Sequence, residues 1–297
     1  MQPLVTIVAI SYNQEAFVAD ALDSVKAQTY SNIQLIIADD GSTDGTKNII
    51  RHWIQEHWPT ATFINHPVNL GLTKNLNSAR EHVKGKYYQF LGCEDIMLPS
   101  KIEKQVAILE ADPTIDIVYS DMYRMREDGT IEDATHFEKN NYNIPRNGVV
   151  YEELIKTCFI STPTALMRTE VLQTLNGYNE NLSIDDFDFW IRASKQFRFL
   201  YHDDVTMQYR IMENSLSNKK GINRFRTRFL VYYYNYDKRK PYRSVFDERL
   251  RFSLKSLFYN GYNKTAWFSL KALLKTWNLF FAGMFFRSLP LLIKKGR

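Results

Sequence analysis

Residues 4–10 read Leu-Val-Thr-Ile-Val-Ala-Ile and stop abruptly at Ser11-Tyr12-Asn13. An apolar, β-branched run without alternation marks a strand covered on both faces, and such strands belong to parallel sheets flanked by helices. The next segments repeat the theme. Phe17, Ala21 and Val25 recur at helical spacing to about Thr29. Residues 33–38 form a second buried strand, ended by Asp39-Asp40-Gly41-Ser42-Thr43-Asp44-Gly45, a loop by composition. A helix over 46–57, a short strand over 61–64, the turn Asn69-Leu70-Gly71 and a helix over 73–83 follow. Residues 87–95, Tyr-Tyr-Gln-Phe-Leu-Gly-Cys-Glu-Asp, make another strand closed by two carboxylates. Ser100 and Glu103 have capping-box spacing at the start of the next helix, and 117–120 is a further strand. This alternation predicts an α/β fold with a mostly parallel, doubly wound sheet.

Beyond it the pattern loosens. Residues 133–147 are polar and turn-rich, 161–164 lead into a short strand, and 169–175 read as a helix. A helix is expected from about Asp185, with strands over 197–201 and 206–211. Residues 222–297 hold 17 Lys+Arg against 3 Asp+Glu, leaving the remainder with 21 basic and 30 acidic residues. The predicted division is therefore 1–221, an α/β domain, and 222–297, a basic, aromatic, helical region. The positive charge of the latter suits an anionic surface. Its longest uncharged stretch, 276–286, is 11 residues, against about 20 needed to span a bilayer. A helix lying in the membrane interface, with Lys294, Lys295 and Arg297 near headgroups, fits better; a helix packed on the protein is the competing reading. No motif supports nucleic-acid binding. Cys93 and Cys158 are too few for a disulfide framework. With no secretory signal at the N-terminus, the expected location is cytoplasmic, peripheral on the inner face of a membrane.

In open α/β sheets ligands bind beyond the carboxyl ends of strands, where strand order reverses. Ser11, Asp39 and Glu94-Asp95 each follow a strand, so this topology would gather them. Neither a Gly-x-x-x-x-Gly-Lys-Ser/Thr loop nor a Gly-x-Gly-x-x-Gly turn is present. Paired carboxylates suit a hard divalent cation, since such ions take oxygen ligands; taken singly, an acidic turn needs no metal.

These strings resemble family 2 glycosyltransferases of the GT-A fold over roughly residues 3–217. The resemblance rests on the 5–13 strand and its Ser-Tyr-Asn, and on Ile36-Ile37-Ala38-Asp39-Asp40-Gly41-Ser42-Thr43-Asp44. It continues through Asn69-Leu70-Gly71, Gly85-Lys86-Tyr87, Glu94-Asp95, the 185–192 segment and Tyr209-Arg210. It implies a Rossmann-like sheet and inverting transfer of one sugar from a nucleoside-diphosphate sugar, a UDP-sugar, to a hydroxyl of a glycan or lipid-linked glycan. Asp39 would accept the imide N–H of the base, and Ser11 and Lys74 would contact the nucleotide; a solvated lysine suits Lys74 equally. Asp95 would ligate Mn2+ or Mg2+, with Glu94 near the ribose or the metal. Asp186 would be the catalytic base, with Asp185 as the fallback, although Ser183-x-x-Asp186 also has capping-box spacing. The family's Tyr-Arg-x-His ends here in Met212, and the Gln-x-x-Arg-Trp of processive synthases is absent. A degenerate, nucleotide-sugar-binding scaffold is the rival.

Overall fold

The computed structural model describes residues 2–142, 147–182, 186–212 and 221–293. These divide into two compact units, residues 1–212 and 213–297.

The described residues of the first unit build a ten-stranded mixed sheet. Its strands are β1 (Val5–Ser11), β2 (Ile33–Asp39), β3 (Thr62–Asn65), β4 (Tyr87–Gly92), β5 (Ile96–Met97), β6 (Ile117–Arg126), β7 (Ile131–Thr135), β8 (Asn147–Gly148), β9 (Leu166–Arg168) and β10 (Phe199–Ile211). The order is β3-β2-β1-β4-β9-β6-β10-β5, with β7 on β6 and β8 on β10. The first four strands are mutually parallel, whereas β9 and β5 run antiparallel to their neighbours. The chain steps outward from β1 to β3 and then returns to the other flank of β1 with β4. That reversal is the switch point expected to carry the site.

Side-chain alternation explains the two cores. Val5, Ile7 and Ala9 of β1, with Leu35 and Ile37 of β2, pack against helices α1 (Val18–Lys26), α2 (Thr46–His57) and, farther along, α4 (Lys101–Ala111). Val8 and Ile10, with Ile36, Ala38 and Tyr88, face α3 (Leu72–Arg80), α7 (Thr169–Thr174) and α8 (Asp186–Ser194). Leu154 of the short helix α6 (Tyr151–Leu154) joins this second core, and Phe137 of α5 (His136–Asn140) packs against it.

Three local expectations need correction. The two strands expected over 197–201 and 206–211 are one strand, β10, whose pairing with β6 shifts register between Tyr201 and Met207. The polar 202–205 segment that looked like a break is thus an irregularity within the strand. The expected 133–147 loop begins with β7 and α5; α5 carries a formed capping box between Thr135 and Glu138. The capping box expected at Ser100 does not form: α4 starts there, but Ser100 makes no side-chain cap, and Glu103 accepts the Thr29 hydroxyl at 2.6 Å.

The second unit contains α9 (Ile222–Tyr234), α10 (Tyr242–Tyr259), α11 (Thr265–Thr276) and α12 (Leu279–Ile293). Phe229 and Phe268 meet at 4.9 Å, and Phe246, Leu250, Leu254, Phe281 and Met284 are buried. No helix among the described residues is long and apolar enough to cross a membrane. Lys294, Lys295 and Arg297 lie outside the described residues.

Candidate active site

The loops that follow β1 and β2 are laced together. Strand pairing sets Ser11 opposite Asp39, and the Ser11 hydroxyl donates to Asp39 Oδ1 at 3.1 Å. Asn13 adopts φ 53°, a conformation Asn tolerates, and its Oδ1 accepts the Thr43 N–H at 2.8 Å. Ser42 and Thr46 hydroxyls accept the N–H groups of Asn13 and Gln14, each at 2.8 Å. Gly41 permits the tight path, for its φ is +74° and a Cβ there would stand 2.4 Å from the Val68 carbonyl carbon.

Asp39 is fully buried. It accepts the Ser42 N–H at 2.8 Å and the Ser42 hydroxyl in addition to Ser11, with Lys47 Nζ 4.0 Å away. A carboxylate offers about four acceptor directions, so one remains for a ligand. Ser11 is also buried, its hydroxyl directed to Asp39. Asp40 accepts the Leu70 and Gly71 N–H groups at 2.7 and 3.0 Å, pinning the Asn-Leu-Gly turn.

Glu94 and Asp95 follow β4 at the same sheet edge. Gln14 Nε2 donates to Glu94 Oε2 at 3.3 Å, linking the first loop to this turn. Gly92 leaves room for the Glu94 carboxyl to fold back, because a Cβ there would lie 3.0 Å from its Oε2. Asp95 is buried and its Oδ1 accepts the Arg210 N–H at 2.9 Å. Burial pushes the Asp95 carboxyl well up, and the neighbouring Glu94 charge adds to it; burial raises Glu94 likewise.

An all-oxygen donor set suits a hard divalent ion, and the oxygens that could hold one at this corner belong to Asp95, to Glu94 and, on the side chain bonded to Glu94, to Gln14 as Oε1. The last is buried without a hydrogen-bond partner among the described residues. No cluster of three or more His, Cys, Asp or Glu exists among the described residues, so the protein's share of such a coordination shell is small.

Asp186 opens α8, and its Oδ2 accepts the Thr162 hydroxyl at 3.1 Å. Withdrawal of its carboxyl from water raises its pKa, against the lowering effect of Thr162 and the Phe187 N–H. Because β9 runs antiparallel to β4, with Leu166 opposite Gln89, the preceding 162–164 turn lies toward the carboxyl end of β4. Thr162 and Asp186 therefore share the edge that carries Glu94. Asp185 lies outside the described residues. Asp188, two residues on, is structural: it binds Arg192 at 2.8 Å, and Arg192 donates to the carbonyls of Leu175 and Gly177.

Lys74 is exposed on α3 and lines a groove of about 650 Å3 with Asn77, Arg80, Asn179 and Glu180. Arg210, Gln14 and Thr162 had no role in the sequence reading. Arg210 stood inside a matching string, but its grip on Glu94 is a contact across 116 positions that no spacing reveals.

Residues 6–175 match the family described as Glycosyl transferase family 2. The chain belongs to that family. This family 2 glycosyltransferase is 28% identical over 224 residues to an uncharacterized glycosyltransferase of Methanocaldococcus jannaschii, covering 74% of this chain and 75% of the other. It is 26% identical to the teichuronic acid biosynthesis glycosyltransferase TuaG of Bacillus subtilis, over 74% of this chain and 83% of that one. Its fold resembles that of a mannosyltransferase from Pyrobaculum calidifontis in complex with GDP-Man and Mn2+ (TM-score 0.65, 19% identity, 99% of this chain and 82% of the other). It also resembles S. aureus TarS 1-349 in complex with UDP-GlcNAc (TM-score 0.63, 18% identity, 96% and 79%). The GT-A fold expected from the sequence is thereby established, and the protein is a glycosyltransferase enzyme.

Proposed function

We propose that this transferase moves a single sugar from a UDP-sugar to a hydroxyl of a glycan or lipid-linked glycan, with inversion, in cell-surface polysaccharide synthesis. The observation that carries the reading is the gathering of Asp39, Glu94 and Asp95 at one sheet edge, with Asp186 beside the same strand end. The β1 and β2 loops receive the nucleoside, Asp39 offering its remaining acceptor direction to the imide N–H. Ser11 holds Asp39 in place, and Lys74 stands at the start of α3 for the phosphates. Asp95, with Glu94 and Gln14, would hold Mn2+ or Mg2+. A divalent cation there neutralises charge on the departing diphosphate.

Asp186 takes the proton of the acceptor hydroxyl as that oxygen bonds to the anomeric carbon and the bond to the diphosphate breaks. Its raised pKa suits a base, provided the carboxyl is ionised at the working pH. The relative named for teichuronic acid biosynthesis supports a cell-envelope glycan acceptor, and the neighbour holding UDP-GlcNAc supports a UDP donor. The Mn2+ of the mannosyltransferase supports the metal.

The second unit is assigned an anionic lipid surface as its partner. Trp267, Leu274, Trp277, Leu279 and Phe286 are all more than half exposed, and Lys271 and Lys275 lie on the same helix as the first two. The deciding experiment is UDP release from a panel of UDP-sugars with Mn2+ and candidate glycan acceptors, comparing wild type with Asp95→Ala and Asp186→Asn. Both variants should be inactive. Tight nucleotide binding with no turnover for any donor would favour a degenerate scaffold.

A further inference from the structure

Lys101 is buried, 1% exposed, and no carboxylate among the described residues pairs with it. Its three donors go to neutral oxygens: Gln89 Oε1 at 2.7 Å, Gln105 Oε1 at 2.6 Å and the Thr164 carbonyl at 3.2 Å. An ammonium has donors only, so it fixes which way each glutamine amide points. With both oxygens on Lys101, the two NH2 groups must face elsewhere. Gln89 Nε2 donates to the Pro163 carbonyl and Gln105 Nε2 to the Thr164 carbonyl, each at 2.9 Å.

The network thus converges on a three-residue turn, Thr162–Thr164; Ser120 of β6 donates to the Thr164 carbonyl at 3.4 Å and meets the Thr206 hydroxyl of β10 at 2.6 Å. A buried charge retained for a packed core alone would be costly, since an apolar residue of similar length avoids desolvation. What the turn presents at its far end is the Thr162 hydroxyl on Asp186 Oδ2. That bond and the Phe187 N–H together orient the carboxyl whose proton acceptance the reaction needs. The Tyr178 phenol also lies near Asp186.

We infer that Lys101 and Thr162 are positioning residues. Lys101 fixes the 162–164 turn through Gln89 and Gln105, and the turn sets the Asp186 carboxylate through Thr162. This rests on the reading of Asp186 as the base.

The test uses full-length protein carrying [4-13C]aspartate, with the Asp186 resonance assigned by its loss in Asp186→Asn. UDP release from UDP-GlcNAc with Mn2+, water serving as acceptor, is the parallel readout. Removing a hydroxyl donor from a carboxylate should raise the Asp186 midpoint in Thr162→Val by about one pH unit. It should also lower kcat by about tenfold, a modest share of a base's contribution, with KM for UDP-GlcNAc unchanged. Thr162→Ser should restore both. Lys101→Met should move midpoint and kcat in the same directions; if it does not fold, Gln105→Leu, which removes one donor to the turn, carries that arm. Wild-type midpoints in Thr162→Val and in the Lys101 arm overturn the inference. Wild-type turnover in Asp186→Asn would instead overturn the base assignment, with the titration still deciding whether the turn sets that carboxyl. Where UDP-GlcNAc is not turned over, the titration alone decides.

Discussion

The Arg210 N–H donates to Asp95 Oδ1 at 2.9 Å, while its side-chain Nε donates to the carbonyl of Glu94, also at 2.9 Å. One residue of β10 therefore holds both ends of the acidic turn that follows β4. Its guanidinium additionally donates to the Glu127 carbonyl at 3.1 Å and covers the Phe17 ring at 4.4 Å. Arg210→Ala keeps the backbone bond and loses the rest, including the donors to the Glu94 and Glu127 carbonyls. The expected cost is about 2–4 kcal/mol of stability, read as a lower denaturant midpoint. Lysine cannot reproduce the planar fork, so Arg210→Lys should recover less than half of the loss.

Asp95 and Asp186 should separate by what each abolishes. Asp95→Asn preserves shape and removes the charge that a cation needs; calorimetry should show the Mn2+-dependent part of UDP binding lost. Asp186→Asn should leave UDP affinity within about twofold and reduce turnover by about 10^2–10^4, the usual contribution of a general base. Loss of UDP binding in Asp186→Asn would place that carboxylate in the donor site.

The raised pKa of Asp186 fixes two signs. Only the ionised form accepts a proton, so kcat/KM should rise with pH along an acidic limb placed above the usual carboxylate range. For stability the direction is opposite. The folded state favours the neutral acid, so the associated stabilisation is complete at pH below the unfolded carboxyl's pKa and is lost as pH rises through the folded value. Asp186→Asn should thus be more heat-stable than wild type at pH 8, and the difference should shrink toward pH 4.

Much of this site was legible because its parts end strands. Asp39 and Asp95 follow apolar runs whose burial is dictated by composition, so sheet topology alone places them together. The acidic start of α8 was also visible, including the helix on which Asp186 sits. What could not be read was anything made by contact across the sheet. Gln14 looks like an ordinary loop residue until its amide is found on Glu94. Lys101 reads as a solvated residue in the first turn of a helix, yet it is buried among glutamines. Ser100 shows the converse. Its spacing to Glu103 promised a cap, but a neighbouring loop offered Glu103 the Thr29 hydroxyl, and the local motif gave way to a tertiary bond.

Gly41 and Asp40 shape the loop that follows β2, and they should fail differently. Gly41→Ala places a methyl group 2.4 Å from backbone at a φ of +74°, two penalties together, so misfolding or a loss of several kcal/mol is expected. Asp40→Asn retains one acceptor for the Leu70 and Gly71 N–H groups instead of two. It should cost about 1–2 kcal/mol and weaken UDP binding without changing the fold, as circular dichroism would verify.

The second unit's surface predicts lipid binding whose two components can be separated. Trp277 is 81% and Leu279 83% exposed at the corner between α11 and α12, and α12 continues through Pro290 while burying Phe281, Met284 and Ser288. Phe286, Leu289 and Leu292 are left on its exposed side. Arg251 and Lys255 lie 5.2 and 5.6 Å from the Phe280 ring next to Leu279, so positive charge borders the apolar corner. Aromatic insertion and headgroup attraction should act together on anionic vesicles. Wild type should sediment with vesicles containing phosphatidylserine at low salt and largely detach at 0.5 M salt, where surface charges are screened. Trp277→Asp with Phe286→Asp should abolish sedimentation while leaving UDP release in solution unchanged. Lys271→Glu with Lys275→Glu should weaken binding to anionic vesicles at low salt only. If the aspartate double variant sediments as well as wild type, the exposed corner is not what meets the lipid.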